Sequence, residues 1–344
     1  MGRLVALKLT MTMSVFLVGL IFAVFLSTIM FILNFPLIYA LIITAIFILI
    51  QYLIGPAIVR SSTRLRYLDP GENPWLESTV KKLADKTGMT MPRLAVVPDD
   101  TPNAFVFGRT AKGATLGVHE GLLTKLRKDE VEGVIGHELG HIRHRDYIVM
   151  TALSALPLLA YIIARGTWVA ARFSGSSRKR EEGSMREALF IIGIISYIVY
   201  IVSLLCVMKL SRLREHYADA YSAYITSSPH SLQSALAKIT YGLSLSQKPP
   251  SGARAFYIGD PALAKQEIQH IMNRKQEYDL DKDGVLDGRE LHIAMEREAE
   301  STWSKINTWF STHPATFRRI LLLQEIEREM ETGRYTSDRV YARV

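Results

Sequence analysis

The chain has 344 residues, of which 49% are hydrophobic and 22% charged, and its formal net charge is +8. A chain with this many apolar residues can bury ample surface, which excludes an intrinsically disordered protein. Its single cysteine, Cys206, has no partner and excludes a disulfide scaffold. A basic surface suits anionic lipid and nucleic acid equally well, so charge alone does not distinguish these two partners.

The first predicted element is a transmembrane hairpin. No charged residue or histidine occurs between Lys8 and Arg60, a run of 51 residues, whereas roughly 20 apolar residues suffice to span a bilayer. Pro36 lies near the middle of the run, and proline disfavours helix in the residue before it. We therefore predict two spans, at about 9–33 and 37–56. A cleaved signal peptide is the alternative, but its apolar core would be shorter and no second span would follow.

The charges beside this run predict its orientation. The turn between the spans carries no charge, whereas basic residues flank both outer ends: Arg3, Lys8, Arg60, Arg64 and Arg66. Because positively charged flanks remain in the cytoplasm, we expect the N-terminus and the chain after residue 60 to be cytoplasmic. The chain is accordingly expected to be a multi-pass protein of the plasma membrane.

A second pair of apolar stretches lies further along the chain, at 147–164 and 188–208. They contain 18 and 21 residues without a charge and are joined by a basic connection. If both stretches span the bilayer, this connection lies outside, against the positive-inside rule. Alternatively, they form a hairpin that is buried in the protein or shallow in the membrane, and the sequence leaves both arrangements open.

The chain between the two apolar pairs has the signals of a helix followed by a small sheet. Asn73, with proline after it, resembles a helix start, and Gly88 resembles a helix end. Three segments, at 93–97, 104–107 and 114–118, are short, β-rich and separated by turn residues.

The next helix is predicted to begin with Asp129 and Glu132 in capping-box spacing. Its buried face is predicted from helical periodicity to comprise Val131, Val134, Ile135, Leu139 and Ile142. From about residue 209 the chain is predicted to be helical, apart from a Pro/Gly/Ser-rich break at 246–261. The predicted fold class is therefore mostly α with a small β-sheet, in a multi-span membrane protein.

This helix contains the motif His137-Glu138-Leu139-Gly140-His141. Histidines four residues apart face the same side of a helix, so both imidazoles can bind one metal ion with Glu138 beside it. The pattern arises by chance in roughly one chain in a hundred of this composition. The alternative is a surface helix with incidental histidines, but the place of the motif after a small sheet favours a zinc site.

A catalytic zinc ion takes three protein ligands and keeps one position for water. Six residues after His141 the chain has Tyr147, which excludes the metzincin arrangement of three histidines. His144 lies one turn beyond His141, although one straight helix rarely supplies three ligands. Glu215 is the preferred third ligand, because Asp219 follows one turn later and can accept a hydrogen bond from a ligand histidine. The alternative for these two acidic residues is an ordinary charged helix turn.

With these motifs the chain resembles HtpX-type membrane metalloproteases, relatives of the CAAX prenyl protease. It has the apolar N-terminal hairpin, the HExxH helix, the second apolar pair and the Glu-x-x-x-Asp helix. Two further pieces resemble the family's strand beside the cleft and its late segment: Asn103-Ala104-Phe105, and Thr312-His313-Pro314 with Arg318-Arg319-Ile320 after it. The resemblance covers nearly all of the chain except about 262–300. One departure is His144, directly after the zinc motif, where no titratable ligand is expected.

The resemblance implies a gluzincin-like zinc endopeptidase that acts on polypeptides, in particular misfolded membrane proteins, and hence a role in membrane protein quality control. Zinc lowers the pKa of its bound water and polarises the scissile carbonyl, and Glu138 passes the proton of the water to the leaving amine. The strand at 103–107 can pair with an extended substrate. His313 and Arg318 are implied as residues that stabilise the oxyanion, with a capped turn as the alternative for His313.

Other classes of function compete with this one. An inactive membrane scaffold that keeps the zinc fold usually loses the general base, so the presence of Glu138 favours the enzyme. Nucleic-acid binding is not expected, since the basic cluster at 178–180 has no aromatic residue or motif beside it.

The segment outside the resemblance contains an EF-hand-like loop at 279–290. Its predicted calcium ligands are Asp279, Asp281, Asp283, the carbonyl of Val285, Asp287 and Glu290. This spacing arises by chance in well below about one in a thousand such chains. A calcium-responsive membrane protein is therefore a third class of function. The alternatives are an acidic turn that binds nothing and a site that is filled by magnesium.

These observations divide the chain into six predicted segments. They are a transmembrane hairpin at 1–60, the first part of a zinc protease domain at 61–146, a second apolar hairpin at 147–208, the second part of the protease domain at 209–261, an EF-hand-like insertion at 262–300 and the C-terminal part of the protease domain at 301–344.

Overall fold

A computed structural model of the chain describes residues 2–32, 36, 38–173, 180–244, 258, 261–282, 288–301, 309 and 311–333. The turn predicted just before Pro36 and most of the predicted break at 246–261 lie outside the described residues. So do three of the predicted calcium ligands, Asp283, Val285 and Asp287.

Helices make up most of the described chain. In chain order they are α1 (Gly2–Ile32), α2 (Ile38–Thr63), α3 (Pro74–Lys86), α4 (Glu120–Lys125), α5 (Lys128–His144), α6 (Asp146–Phe173), α7 (Arg180–Thr226), α8 (Pro229–Ser244), α9 (Pro261–Asn273), α10 (Lys275–Tyr278), α11 (Gly288–Glu300) and α12 (Thr316–Glu331). The strands are β1 (Arg66–Tyr67), β2 (Arg93–Val97), β3 (Ala104–Phe107) and β4 (Thr115–His119), with a short 3-10 helix (Ala111–Gly113) before β4. The predicted fold class, mostly α with a small sheet, is confirmed.

The chain divides into two compact units. The apolar unit comprises Val5–Gly55 and Ile148–Leu210, and the larger unit comprises Met1–Leu4, Pro56–Tyr147 and Ser211–Val344. Helix α7 is continuous through the predicted boundary at residue 208, because neither glycine nor proline interrupts the chain there.

Helices of the apolar unit are long enough to cross a bilayer. Four segments of the described chain meet this criterion: Thr12–Ile32, Ile38–Thr63, Asp146–Arg172 and Arg186–Thr226. Apolar side chains fill the interior of the unit and also cover its outside, where Phe16 and Leu41 are exposed. An outer surface of this kind is stable in lipid rather than in water. The two N-terminal helices are therefore confirmed, the second ending at Thr63 instead of residue 56.

The sheet of the larger unit has the strand order β1-β2-β4-β3. β2 and β4 are parallel, whereas β1 and β3 each pair antiparallel with their neighbour. The sequence did not predict β1, since two residues are too few to show alternation. Phe105 of β3 faces Gly117 of β4, and a Cβ atom at Gly117 would lie 2.9 Å from the Phe105 ring. Among the described strands β3 pairs with β4 alone, so it forms an edge of the sheet.

Helix α5 lies in the hydrophobic core of the larger unit. All five residues of its predicted inner face are buried. They pack with apolar residues of the sheet and of later helices, including Leu116 of β4, Leu232 of α8 and Leu323 of α12. Helix α5 also packs against the edge strand β3, which places the HExxH motif beside that strand.

The predicted capping box of α5 is wrong by two residues. The main-chain N–H of Arg127 donates to the carboxylate of Glu130 at 2.7 Å, so Glu130 and not Glu132 closes the first turn. The side chain of Glu130 is buried and also accepts hydrogen bonds from Ser234 (2.6 Å) and Lys238 (2.8 Å) of α8. Tertiary partners therefore decide which acidic residue caps the helix.

Candidate metal centre

The two motif histidines of α5 point into one buried site. Their Nε2 atoms lie 3.1 Å apart and their rings are nearly perpendicular. His137 is fully buried and His141 partly so. This is the arrangement that residues one helical turn apart were predicted to adopt.

Glu215 of α7 completes a group of three ligand atoms. One of its carboxylate oxygens lies 3.5 Å from Nε2 of His137, and the other lies 3.5 Å from Nε2 of His141. Two ligand atoms bound to one tetrahedral zinc ion are about 3.3–3.6 Å apart. The three residues therefore fit a zinc ion by both chemistry and spacing.

The outer nitrogens of the two histidines are held by carboxylates. Nδ1 of His137 lies 2.9 Å from Asp219, as predicted, and Nδ1 of His141 lies 2.7 Å from Asp146. When each Nδ1–H donates to its carboxylate, both Nε2 lone pairs face each other and Glu215. The lone pairs and the Glu215 carboxylate repel one another, and a cation between them would remove this repulsion. Carboxylate partners of this kind orient metal-binding imidazoles.

Asp146 lies at the candidate centre but was not predicted from the sequence. It is the first residue of α6 and immediately precedes the apolar stretch, so it looked like a simple boundary. Its spacing of five residues after His141 was the available signal. The left-handed backbone conformation of Arg145, with φ of 56°, turns the chain so that the Asp146 carboxylate faces back toward His141.

Two buried arginines neutralise these carboxylates. Arg214 donates through Nε to Asp146 at 2.7 Å. Arg319 of α12 forms a two-pronged pair with Asp219, with Nε and Nη2 at 2.8 and 2.6 Å from its oxygens. Nη1 of Arg319 also lies 3.4 Å from Glu215. Charge-assisted pairs of this geometry are strong and directional, so they set the orientation of the ligands.

The resemblance implied Arg318 as a residue that stabilises the oxyanion, but the arginine that the structure places beside Asp219 and Glu215 is Arg319. Arg318 donates to the main-chain carbonyl of Ala299 at 2.7 Å, whereas Arg319 is 1% exposed and contacts Asp219. Adjacent residues of a helix point about 100° apart, so only one of two neighbouring arginines can face the centre.

His313 is brought to the same centre. It is buried, and its Nδ1 atom lies 3.4 Å from Glu215. Neither of its ring nitrogens makes a hydrogen bond to a residue that the structure describes. An imidazole without such a partner is available to donate to a substrate atom.

Glu138 lies in the same turn of α5 and is almost fully buried. Burial raises the pKa of its carboxyl, although positive charge on His141 and His137 opposes the shift. A raised pKa makes a carboxylate a stronger base, as general-base catalysis requires.

Close approach of two helices brings the ligands together. A Cβ atom at Gly136 would lie 2.9 Å from Ser222 of α7, and one at Gly140 would lie 3.0 Å from the Cα atom of Ala218. Ser222 also donates to the carbonyl of Gly133 at 2.6 Å. Glycine lowers the stability of a helix, so glycines repeated within α5 indicate close packing against another helix. The sequence analysis did not use this signal.

His144, the alternative third ligand, lies in different surroundings. Its ring packs edge-on against Tyr217 and Tyr221, with 5.7 Å between ring centroids in each case. Burial lowers its pKa to about 4, so the imidazole is neutral. The group of ligand atoms around His137 contains Glu215 and not His144.

The predicted substrate strand coincides with β3. Ala104 and Phe105 are buried, and the Phe105 ring packs edge-on to His119 at 5.9 Å. The side chain of Asn103 is also buried, and its oxygen accepts a hydrogen bond from the main-chain N–H of Ile258 at 2.9 Å. The part of this segment that can meet a substrate is therefore its main chain at the edge of the sheet.

Three of the predicted calcium ligands also lie together. Oxygens of Asp279, Asp281 and Glu290 lie within 4.8 Å of one another. Glu290, the first acidic residue of α11, is buried and accepts hydrogen bonds from the main-chain N–H groups of Leu280 (2.6 Å) and Asp281 (3.3 Å). These are the first, third and twelfth positions of the predicted loop.

Comparison with known proteins identifies relatives over most of the chain. Residues 70–327 match the model of peptidase family M48. The protein called protease HtpX homolog is 34% identical in Aeropyrum pernix, over 81% of this chain and 83% of the relative. Its counterpart in Methanothermobacter thermautotrophicus is 38% identical over 71% and 90%, respectively. That in Thermococcus kodakarensis is 34% identical over 82% and 83%.

A solved structure, the crystal structure of S. mikatae Ste24p, aligns with 93% of this chain and 67% of its own. The TM-score is 0.46 and the sequence identity is 16%.

Proposed function

The chain belongs to peptidase family M48, and from this membership we propose that it is a zinc endopeptidase that cleaves polypeptides at the cytoplasmic face of the cell membrane, in membrane protein quality control. That it is a metalloprotease with helices able to cross a membrane follows from the family and from the four apolar helices. The family resemblance predicted from the motifs is confirmed. One observation carries the proposal: His137, His141 and Glu215 converge with Glu138 beside them.

The residues of the chain divide the proposed reaction between them. When bound to His137, His141 and Glu215, zinc lowers the pKa of a bound water and polarises the scissile carbonyl. The Glu138 carboxylate accepts a proton from the attacking water and delivers it to the nitrogen of the leaving amine.

We assign stabilisation of the developing oxyanion to His313. Its ring lies beside Glu215, and a preorganised donor in a buried site contributes strongly to catalysis. Arg319 takes the place at the centre that the sequence assigned to Arg318. Because Arg319 donates two hydrogen bonds to Asp219, its proposed role is to compensate the negative charge of the carboxylates at the centre.

The edge strand β3 is the proposed site of substrate pairing. An extended peptide can add a strand to a free sheet edge through main-chain hydrogen bonds, largely independent of sequence. Packing of β3 against α5 supports this assignment, because a peptide that lies along β3 also lies near the HExxH motif. A locally unfolded segment of a misfolded polypeptide can adopt the extended conformation that such pairing requires.

Exchange of the proposed base tests the hydrolytic function. Glu138→Gln should keep zinc and the thermal midpoint but lose about 10²–10⁴-fold in the cleavage rate of casein or a membrane protein. Glu132→Gln is the matched control, since Glu132 lies on the same helix in a surface pair with Lys82. Full cleavage by Glu138→Gln would contradict the mechanism and favour a scaffold with a zinc fold.

The proposed topology rests on the basic flanks of α1 and α2. In a Cys206→Ser background, a single cysteine near Asn34 should react with an impermeant reagent added outside the cell, and one at Arg66 should not. The reverse pattern would place the protease outside. Single cysteines at 178–180 test the second apolar pair. They should react with the reagent from outside if both stretches span the bilayer, and should not react if the stretches form a shallow hairpin.

We further propose that the loop at 279–290 binds calcium. The convergence of Asp279, Asp281 and Glu290 supports the proposal, with the predicted ligands Asp283, Val285 and Asp287 between them in sequence. Helix α9, which precedes α10 and the loop, and helix α11, which follows the loop, both contact the start of α12. Glu267 of α9 accepts the N–H of Thr316 at 3.1 Å, and the carbonyl of Ala299 in α11 accepts from Arg318. Calcium bound at the loop would thereby act on the helix that carries Arg319.

Isothermal titration of the detergent-solubilised full chain with calcium tests this site. Binding should disappear in Glu290→Gln and persist in Glu296→Gln, which makes the same change at the exposed side of α11. The absence of heat at millimolar calcium would leave the loop an acidic turn. Preference for magnesium would reassign the ion.

A further inference from the structure

The amide of Asn103 holds the main chain of Ile258, which contacts the metal centre. Asn103 is 1% exposed, and its side-chain oxygen accepts the N–H of Ile258 at 2.9 Å. Its own carbonyl accepts the N–H of His119 at 3.0 Å. Both oxygens of the residue therefore accept hydrogen bonds from main-chain N–H groups inside the fold.

Ile258 in turn contacts an arginine of the centre. Its carbonyl accepts a hydrogen bond from Nη1 of Arg319, while Nε and Nη2 of the same guanidinium bind Asp219. The planar guanidinium is thus held from two sides. Nη1, the nitrogen that Ile258 holds, is also the one that lies 3.4 Å from Glu215.

A series of buried hydrogen bonds therefore joins the start of β3 to a ligand of the centre. It runs from Asn103 to Ile258, to Arg319, to Asp219 and finally to Nδ1 of His137. Arg319 is a full positive charge in a buried site, where a displacement changes its interaction with Glu215 and Asp219 strongly. Groups that orient the partners of metal ligands influence metal affinity and activity.

We propose that Asn103 is a positioning residue, which holds the main chain of Ile258 so that Arg319 stays aligned with Asp219 and Glu215. The inference rests on the proposed zinc hydrolase function and assigns to this asparagine a role other than substrate contact. Loss of the amide leaves the N–H of Ile258 without its partner, so one of the two anchors of Arg319 is weakened.

The first test compares Asn103→Ala with a control that loses a similar bond elsewhere. In Asn103→Ala, kcat on a short peptide should fall about tenfold to a hundredfold, with KM within about threefold, and zinc should transfer to a chromophoric chelator faster by a similar factor. Asn73→Ala removes an amide that accepts the N–H of Leu76 at the start of α3. It should lower the thermal midpoint but leave kcat and zinc release unchanged.

The second test asks whether Asn103 acts through Arg319. Arg319→Lys keeps the charge but loses the two-pronged geometry. In that background, Asn103→Ala should add less than about twofold to zinc release, because the aligned guanidinium is already gone. Independent, multiplying effects of the two substitutions would overturn the proposal.

A conservative variant keeps the test decisive if Asn103→Ala folds poorly. Asn103→Asp retains an acceptor oxygen for Ile258 and should recover most of the zinc retention. If Asn103 were needed only for contact with substrate, the substitutions would instead change KM. If Glu138→Gln is inactive but Asn103→Ala and Asn103→Asp both match the wild type, this inference alone fails. If Glu138→Gln cleaves normally, the hydrolytic function itself fails.

Discussion

The metal centre and the loop at 279–290 both gather acidic or imidazole ligands, but their members are distributed differently along the chain. Glu215 lies 74 residues after His141, on a different helix. Asp279, Asp281 and Glu290 lie within twelve consecutive residues. The first group can form only after α5 and α7 pack, whereas the second needs only a local turn of the chain.

The two groups also differ in what surrounds them. In the metal centre, each ligand histidine binds a carboxylate, and each of these carboxylates binds a buried arginine. In the loop, Glu290 is buried, Asp279 is partly exposed and Asp281 is exposed. Tertiary contacts therefore preorganise the metal centre, and substitutions at several distances from it should alter metal binding.

The largest effect is expected from removal of a ligand. Glu215→Ala should lose its zinc and all cleavage, because two histidines on one helix do not complete a zinc site. Glu290→Gln should retain full zinc, since it changes only the loop. Metal analysis of both purified variants provides the measurement. A full zinc content in Glu215→Ala would mean that His144 is the third zinc ligand.

A smaller effect is expected from the carboxylate behind a ligand. Asp146→Asn should weaken zinc binding about tenfold to a hundredfold. The amide can still accept a hydrogen bond from His141, but its lack of negative charge makes the imidazole a weaker zinc ligand. Chelator competition measures the affinity. Asp129→Asn, which alters only a surface pair with Arg127, should bind zinc like the wild type. Equal affinities in all three proteins would show that preorganisation by Asp146 is unimportant.

Separation of the two helices should be detectable as lost stability. Gly140→Ala places a Cβ atom 3.0 Å from the main chain of Ala218, so it should lower the free energy of unfolding by about 1–3 kcal/mol. Gly166→Ala in α6 meets no atom within 4 Å and should be neutral or slightly stabilising. Thermal unfolding in detergent distinguishes them, and an unchanged Gly140→Ala would mean that α7 can move freely.

The smallest effect on chemistry is expected at the start of α5. Hydrogen bonds from Lys238 and Ser234, together with the N–H of Arg127, lower the pKa of Glu130 against the opposing effect of burial. A lowered folded pKa means that the carboxylate stabilises the fold above its ordinary pKa near 4.5, and that this contribution is lost as the pH falls.

Glu130→Gln should therefore unfold about 1–3 kcal/mol more easily at pH 7, with zinc content unchanged. The difference from the wild type should shrink as the pH falls below the ordinary pKa of 4.5. A difference that grows in acid would contradict the assigned sign. Calcium binding at the loop, on the other side of the comparison, should be unaffected by this variant.

The sequence by itself determined the elements that depend on local periodicity and length. The spacing of His137 and His141 placed both imidazoles on one face, because a helix turns once in 3.6 residues. The apolar run between Lys8 and Arg60 determined two long helices, because its length alone exceeds twice the span of a bilayer. The motifs also indicated the family, because the HExxH and Glu-x-x-x-Asp patterns occur in one chain together with two apolar pairs.

Only the tertiary structure decided which neighbouring residue is used at each contact. It selected Arg319 over Arg318, Glu130 over Glu132 and Asp146 as the partner of His141. It also directed the amide of Asn103 toward Ile258. These choices depend on the angle and distance at which separate elements pack. The five-residue spacing of His141 and Asp146 does not follow the period of a helix, and contacts between residues far apart in the chain leave no periodic pattern around either residue.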